Sequence, residues 1–171
     1  MGCRIALLIL IILIGNFNVF SQDPEWLVKM KQLSLLTDSY DDAVKVFGDS
    51  NGESREKKYS AYFDLHAGRI FVGFASGLCT VTPYSDGIPI GWKVPEWSII
   101  SMSFTPKRPL NPKKLPFDLA TFGKTPVNDS PGAFILENNE LGIELAMNSK
   151  KRITFVGLRP PQKFDALHCK K

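Results

Sequence analysis

The feature that most constrains this chain is a pair of cysteines, Cys79 and Cys169, which lie about 90 residues apart. The third cysteine, Cys3, belongs to an N-terminal segment that we expect to be removed. In an oxidising compartment, the two remaining cysteines of a small domain are most simply joined as one disulfide. Closing so long a loop stabilises the folded state by roughly 4 to 5 kcal/mol at most. The sequence therefore predicts that the C-terminal tail returns to the middle of the chain.

Residues 1–21 have the pattern of a secretory signal peptide. Arg4 supplies a positive start, and residues 5–14 form an unbroken apolar run. The small residue Ser21 occupies the −1 position, which predicts cleavage before Gln22. An uncleaved membrane anchor is the alternative, but this run is about half of the ~20 apolar residues that a spanning helix needs. We therefore expect an exported protein, periplasmic or extracellular, with no stable membrane span after cleavage.

The mature chain, residues 22–171, has the composition of a folded soluble protein. Hydrophobic residues make up 44% of the sequence and charged residues 22%, which is close to the average for globular domains. The formal net charge of +4 falls to +3 when Arg4 is removed, which is too small to indicate nucleic-acid binding. We predict a single domain whose halves, about 22–105 and 117–171, are joined by a proline-rich connector.

Hydrophobic periodicity predicts an α+β fold in which one or two short N-terminal helices pack on an antiparallel sheet of about six strands. A cap at Ser39 and Asp42 and a stop at Gly48 bound the clearest helix. Its apolar face consists of Tyr40, Ala43, Val44 and Phe47. The predicted strands are 59–65, 69–75, 98–105, 133–137, 141–147 and 152–159. Residues 117–122 form an apolar element of uncertain type, and residues 124–132 are predicted to be a loop.

One short internal similarity raises the hypothesis of two related halves. Residues 69–74 read RIFVGF and residues 152–158 read RITFVGL, as expected if the two segments derive from a repeated unit. The alternative is that β-propensity alone makes such strands similar.

A candidate binding surface is predicted around the stretch 77–107, which holds two of the three tryptophans. Rigid aromatic rings near positive charge are typical of protein interfaces, and aromatic rings also stack on sugars. The residues of this surface are Tyr84, Trp92, Trp97, Lys107 and Arg108. The alternative is that the two tryptophans pack on the sheet beneath the loop, because tryptophan is usually mostly buried.

The sequence contains no recognisable catalytic or cofactor motif. Neither a nucleophile elbow nor a phosphate loop, a dinucleotide fingerprint or a zinc-protease motif occurs, so no catalytic residue, metal or cofactor is predicted. A zinc site is the alternative to the disulfide, but structural zinc sites place ligands in pairs two to four residues apart. Its ligands would be His66, Cys79, His168 and Cys169. The acids available to a hydrolase are Asp41, Asp42, Glu137, Glu140 and Glu144.

The central stretch resembles an uncharacterised domain of exported bacterial proteins. The similarity lies in a G-x-C motif at 77–79, a G-W-x-V-P motif at 91–95, a late Gly-Ile pair at 142–143 and the final Cys169. This resemblance implies export but no activity. More loosely, residues 37–75 are similar to the helix-then-hairpin unit of small outer-membrane assembly lipoproteins and of β-lactamase-inhibitor repeats. That resemblance implies a protein-binding module.

These observations together favour an exported, non-enzymatic binding or structural module of the cell envelope. The expected partner is an envelope protein or a polysaccharide. The alternative function is a small secreted hydrolase that uses surface carboxylates.

Overall fold

The computed structural model describes residues 23–50, 59–77, 79–81 and 89–169. The predicted cleavage site at Ser21 and Gln22 lies outside these residues, as does Tyr84 of the candidate binding surface. Within the described part of the chain, no helix combines the length and the apolar character needed to cross a bilayer.

Two α-helices precede the strands in the described residues. The helices are α1 (Glu25–Lys31) and α2 (Tyr40–Phe47). The strands are β1 (Ser60–Leu65), β2 (Gly68–Phe74), β3 (Thr80–Val81), β4 (Pro89–Ile90), β5 (Ile99–Pro106), β6 (Gly123–Pro126), β7 (Phe134–Asn138), β8 (Ile143–Met147) and β9 (Ile153–Leu158). Short 3₁₀ helices occupy Pro112–Lys114, Leu119–Thr121 and Gln162–Leu167.

Seven of the strands form one antiparallel sheet in the order β1-β2-β5-β9-β8-β7-β6, and β3 pairs with β4 separately. The structure thus agrees with the predicted α+β class, but the predicted count of about six strands is wrong. The additional strand of the large sheet is β6, which overlaps the start of the predicted loop 124–132. All four of its residues are exposed, so no apolar alternation marks it in the sequence. A short edge strand with a lysine and a proline is one way to protect a sheet edge.

The core lies between the two helices and one face of the sheet. Trp26 of α1 stacks on Phe104 of β5, with ring centroids 4.3 Å apart and planes 7° from parallel. Phe47 of α2 contacts Phe63 of β1 at 5.2 Å between centroids. Fully buried strand residues complete this layer: Ile70, Val72, Met102, Leu145, Ile153 and Val156. Helices of seven and eight residues are stable only through such packing.

Strand β5 lies in the interior of the sheet, between β2 and β9, and its burial differs in one respect from the predicted alternation. Met102 and Phe104 are buried as expected, but Ile99 is fully buried and Ile100 only partly so. The pairing of β2 with β5 shifts between Gly73 and Phe74, so that Phe74 faces Ile99. A shift of one residue exchanges the faces of a strand, and this bulge therefore turns Ile99 into the core.

The two predicted halves share one sheet, because β5 of the first half pairs with β9 of the second. The two similar segments form β2 and β9, which lie on either side of β5. Strand β2 is the second of three successive strands, whereas β9 is the last of four. The two segments therefore do not occupy equivalent positions, and the hypothesis of related halves stays a prediction.

Helix α2 begins at the predicted cap. The Asp42 carboxylate accepts hydrogen bonds from the Ser39 backbone N–H at 3.1 Å and from the Ser39 hydroxyl at 2.8 Å, and it lies 2.8 Å from Lys45 Nζ. Gly48 ends the helix with a φ of 91°. In contrast, α1 has no side-chain cap: Pro24 holds the N-cap position, and the neighbouring Asp23 pairs with Lys31 at 2.6 Å.

The Asp42 cap predicts a pH-dependent term in stability. The hydrogen bond from Lys45, followed by those from Ser39, lowers the pKa of Asp42 from 3.8 to about 2. Because the folded pKa is the lower one, the stabilisation is present above about pH 4 and is lost as the pH falls toward 2. We expect Asp42→Asn to lower the free energy of unfolding near neutral pH, with a difference from wild type that shrinks below about pH 4.

Urea unfolding at a series of pH values measures this difference. Asp129→Asn, in an exposed loop, is the matched control and should change stability little at any pH. A destabilisation by Asp42→Asn that stays constant from neutral to acidic pH would contradict the role of the Asp42 charge.

Candidate binding site at the disulfide end

The disulfide between Cys79 and Cys169 joins the C-terminal tail to the central stretch, with the two Cα atoms 5.5 Å apart. Backbone hydrogen bonds continue the contact. The Cys169 N–H donates to Gly91 O at 2.9 Å and the Lys93 N–H to Leu167 O at 2.7 Å. Both sulfurs are therefore used in a bond that excludes the alternative zinc site. Within the described ranges, no group of three or more potential metal ligands occurs.

The tail also brings His168 against Trp92. The two residues form an isolated antiparallel bridge, and their rings meet edge to face with centroids 4.9 Å apart. The inner side of Trp92 packs on a small apolar cluster formed by Leu36, Ala75 and Val94. Trp92 is therefore half-buried and fixed in orientation.

A cleft of about 390 Å³ lies beside this ring pair. Its walls come from three parts of the chain: the residues around β4, the β7–β8 turn, and the segment that follows β9. The lining residues are Trp92, Glu137, Asn139, Arg159, Pro160, Gln162, Asp165 and His168. Most of them carry hydrogen-bonding groups, and Asn139, Gln162, Asp165 and His168 are exposed to solvent.

Arg159 is the only cation with a permanent charge among the residues that line this cleft. Its Nη2 lies 2.6 Å from Asn139 Oδ1 and 3.5 Å from Glu137 Oε1. Glu137 and Asp165 supply two carboxylates against this one guanidinium. With His168 neutral, the cleft therefore carries one formal negative charge.

Trp97 packs on the sheet rather than standing free. Its ring lies 4.9 Å from Tyr59 and 6.0 Å from Phe74, centroid to centroid. Its backbone has a φ of 68°, which is disfavoured for tryptophan, and its N–H donates to Ala75 O at 2.9 Å. Trp97 therefore fits the alternative prediction, in which the tryptophans pack on the sheet. Trp97 also borders a smaller depression of about 160 Å³ near α2.

Lys107 and Arg108 do not share a surface with Trp92 or Trp97. Strand β5 runs between the two pairs, and its eight residues place them roughly 25 Å apart. Lys107 instead donates its N–H to Ala67 O in the β1–β2 turn at 2.9 Å. The structure therefore divides the predicted binding surface between opposite ends of the sheet.

The structure brings only two of the acids considered for a hydrolase together. Glu137 and Glu144 lie directly opposite each other on β7 and β8. Asp41 and Asp42 lie at the start of α2, and Glu140 lies in the exposed β7–β8 turn. Glu137 alone among them lines the cleft.

No pattern in the sequence marks four polar residues of the cleft, namely Asn139, Arg159, Gln162 and Asp165. They meet only because strands β7 to β9 are neighbours and the tail is tied back. The pair of cysteines was the one signal in the sequence that indicated this tail contact.

No family model matches the chain, and no curated protein matches its sequence. Among solved structures, it is similar to a DUF4309 family protein (YjgB) from Bacillus subtilis subsp. subtilis str. 168. The TM-score is 0.44 with 12% identity, and the match covers 74% of this chain and 81% of that chain. A structural similarity this low supports no conclusion about the family or function of this chain. The motif-based resemblance and the helix-hairpin resemblance therefore stay predictions.

Loss of the disulfide should weaken both the fold and the cleft. We expect the double variant Cys79→Ser, Cys169→Ser to lose up to about 4 to 5 kcal/mol of unfolding free energy, because the unfolded chain regains the entropy of a long loop. Denaturant unfolding measures this loss. Amide hydrogen exchange should quicken in residues 162–169, whereas the core strand β5 stays protected in conditions where the variant is folded.

The wild-type protein treated with a reductant is the matched control and should behave like the double variant. Unchanged exchange in the tail of the variant would show that backbone contacts alone hold the cleft together.

Proposed function

We propose that the protein is an exported, non-enzymatic module that binds a neutral polysaccharide of the cell envelope in the Trp92 cleft. The observation that carries this proposal is the combination in one open cleft of an oriented indole and several planar hydrogen-bonding side chains.

This combination matches the chemistry of a sugar ring. A pyranose has an apolar C–H face, which packs on an aromatic ring, and a rim of hydroxyl groups. Amide, carboxylate and guanidinium groups pair with neighbouring hydroxyls as acceptors or donors. Asn139, Gln162 and Asp165 supply such groups, and their exposure suits a polymer that passes through the cleft rather than a small molecule enclosed in it.

The charge of the cleft favours a neutral ligand over an anionic one. Glu137 already faces Arg159, and Asp165 leaves the surroundings slightly negative. A phosphate-rich or uronic-acid polymer would meet a carboxylate here, and among the described residues that line the cleft no permanently charged cation is left to pair with it. The net charge of the whole chain is only weakly positive, so long-range attraction of polyanions is also small.

Export is supported by two independent features. The first is the signal-type pattern of residues 1–21, and the second is the disulfide, which is stable in oxidising compartments. We expect the protein isolated from its native source to begin at Gln22 and to be two hydrogen atoms lighter than its reduced form. Intact-mass analysis before and after reduction measures both. A chain that retains residue 1 and has free thiols would contradict the proposal of export.

The hydrolase is the second candidate, because Glu137 and Asp165 line the same cleft and many glycosidases use two carboxyl groups. Binding is favoured over hydrolysis because the Glu137 carboxylate is already engaged by Arg159.

Trp92→Ala tests the binding proposal. We expect affinity for purified insoluble cell-wall polysaccharide, measured by co-sedimentation, to fall about five- to tenfold, because a stacking surface is lost. Trp92→Phe should retain most of the affinity. Tyr62→Ala is the control, because Tyr62 is 44% exposed on the face of the sheet opposite the helices and does not line the cleft.

Equal retention of wild type and Trp92→Ala would reject the cleft as the binding site. Release of soluble reducing ends by wild type, abolished in Glu137→Gln and in Asp165→Asn, would identify the hydrolase instead.

A further inference from the structure

The face of the sheet that points away from the helices carries a second depression. It has a volume of about 350 Å³ and lies mainly over β5 and β9. Two half-buried rings, Phe71 and Phe155, flank it. No residue in the described part of the chain packs over it as α1 and α2 pack over the other face. We call this depression the trough.

The floor of the trough follows from the strand register. Phe71 faces Ser103 across β2 and β5, Ser103 faces Gly157 across β5 and β9, and Gly157 faces Glu144 across β9 and β8. Neighbouring strands lie about 4.8 Å apart, so an aromatic ring and a carboxylate stand roughly 14 Å apart with only a serine and a glycine between them. Gly73 and Ser101 continue this low floor on the next row.

Gly157 is required for this shape. A Cβ at position 157 would lie 3.0 Å from Phe155 Cε1, which is closer than an ordinary van der Waals contact. The Phe155 ring therefore leans across the glycine and forms a wall of the trough. A larger residue at position 157 would displace the ring and fill the space.

Glu144 gives the trough an electrostatic preference. Its side chain lines the trough, and the described residues provide neither a hydrogen bond nor an ion pair to its carboxylate. Arg159 also lines the trough, but its guanidinium contacts Asn139 and Glu137. The charge that remains without a partner is therefore negative and stands at the end of an apolar channel.

We infer that the trough is a docking surface for a partner protein that inserts an arginine or lysine side chain. The methylene stem of such a side chain would lie between Phe71 and Phe155, since long cationic side chains bury their stems along apolar surfaces. The charged head would reach Glu144, and the aromatic walls add cation–π attraction. This surface shares only Arg159 with the residues that line the Trp92 cleft. It differs from the cleft in ligand chemistry and does not depend on the proposed polysaccharide binding.

Glu144→Gln tests this inference, because it removes the charge and keeps the shape. The probe is the peptide Ac-Leu-Arg-Leu-NH₂, titrated into the exported, oxidised, ¹⁵N-labelled protein and followed by amide chemical shifts. Shifts should concentrate at Ser103, Glu144 and Gly157. The dissociation constant should rise about tenfold in Glu144→Gln, since a charge-assisted hydrogen bond is lost. It should stay unchanged in Glu140→Gln, the matched loss of one exposed acid in the adjoining turn.

One further variant, two further ligands and a measurement of self-association also test this surface. Ser103→Leu fills the floor without a change of charge and should weaken binding as well. Shifts that are equal for Ac-Leu-Gln-Leu-NH₂, or that cluster away from the trough, would overturn the proposal. So would free arginine amide that binds as tightly as the peptide, which would indicate a small-molecule site. Self-association that Glu144→Gln abolishes would make a second copy of this chain the occupant and would likewise overturn it.

Discussion

The covalent tie between Cys79 and Cys169 is the constraint on which the cleft depends. Without it, the tail is held to the central stretch by two backbone hydrogen bonds and the edge contact of His168 with Trp92. A hydrogen bond from Lys93 Nζ to Ala166 O at 3.4 Å and the packing of Leu167 on the Leu36, Ala75 and Val94 cluster add to these. Such contacts contribute about 1 kcal/mol each, which is comparable to the entropy of ordering each residue of the tail. Because three residues of the cleft, Gln162, Asp165 and His168, belong to this tail, we expect the cleft to keep its shape only where the disulfide forms.

The two proposed sites adjoin at Arg159, which lines both of them. Trp26 and Phe104 anchor the helices to one face, which leaves the opposite face of β5 and β9 available and lined by small residues. The cleft, in contrast, lies at the end of the sheet where the tail returns. A central strand with large residues on one side and serines on the other therefore gives the molecule both a core and a shallow surface.

Local features were predictable from sequence, whereas features that depend on strand order were not. Helix α2 followed from its apolar spacing, its Ser39–Asp42 cap and Gly48, all within ten residues. Strands with a buried face followed from alternation. Strand β6 did not, because its exposed residues carry no pattern. The burial of Ile99 depends on a bulge in β5 where it pairs with β2. The cleft residues Asn139 and Arg159 belong to different elements and meet only through the order of β7 to β9.

Arg159 shows how the two sites constrain each other. It borders both the cleft and the trough, and its ion pair with Glu137 is exposed enough to add little stability. The pair instead affects charge, because the Arg159 guanidinium and the Glu137 carboxylate neutralise each other between the two sites. Asp165 then makes the net charge of the cleft negative, and Glu144 does the same for the trough. Replacement of Arg159 would leave Glu137 without its partner and make both surfaces more acidic at once. The two sites can therefore be tested separately only by substitution of Trp92 or of Glu144.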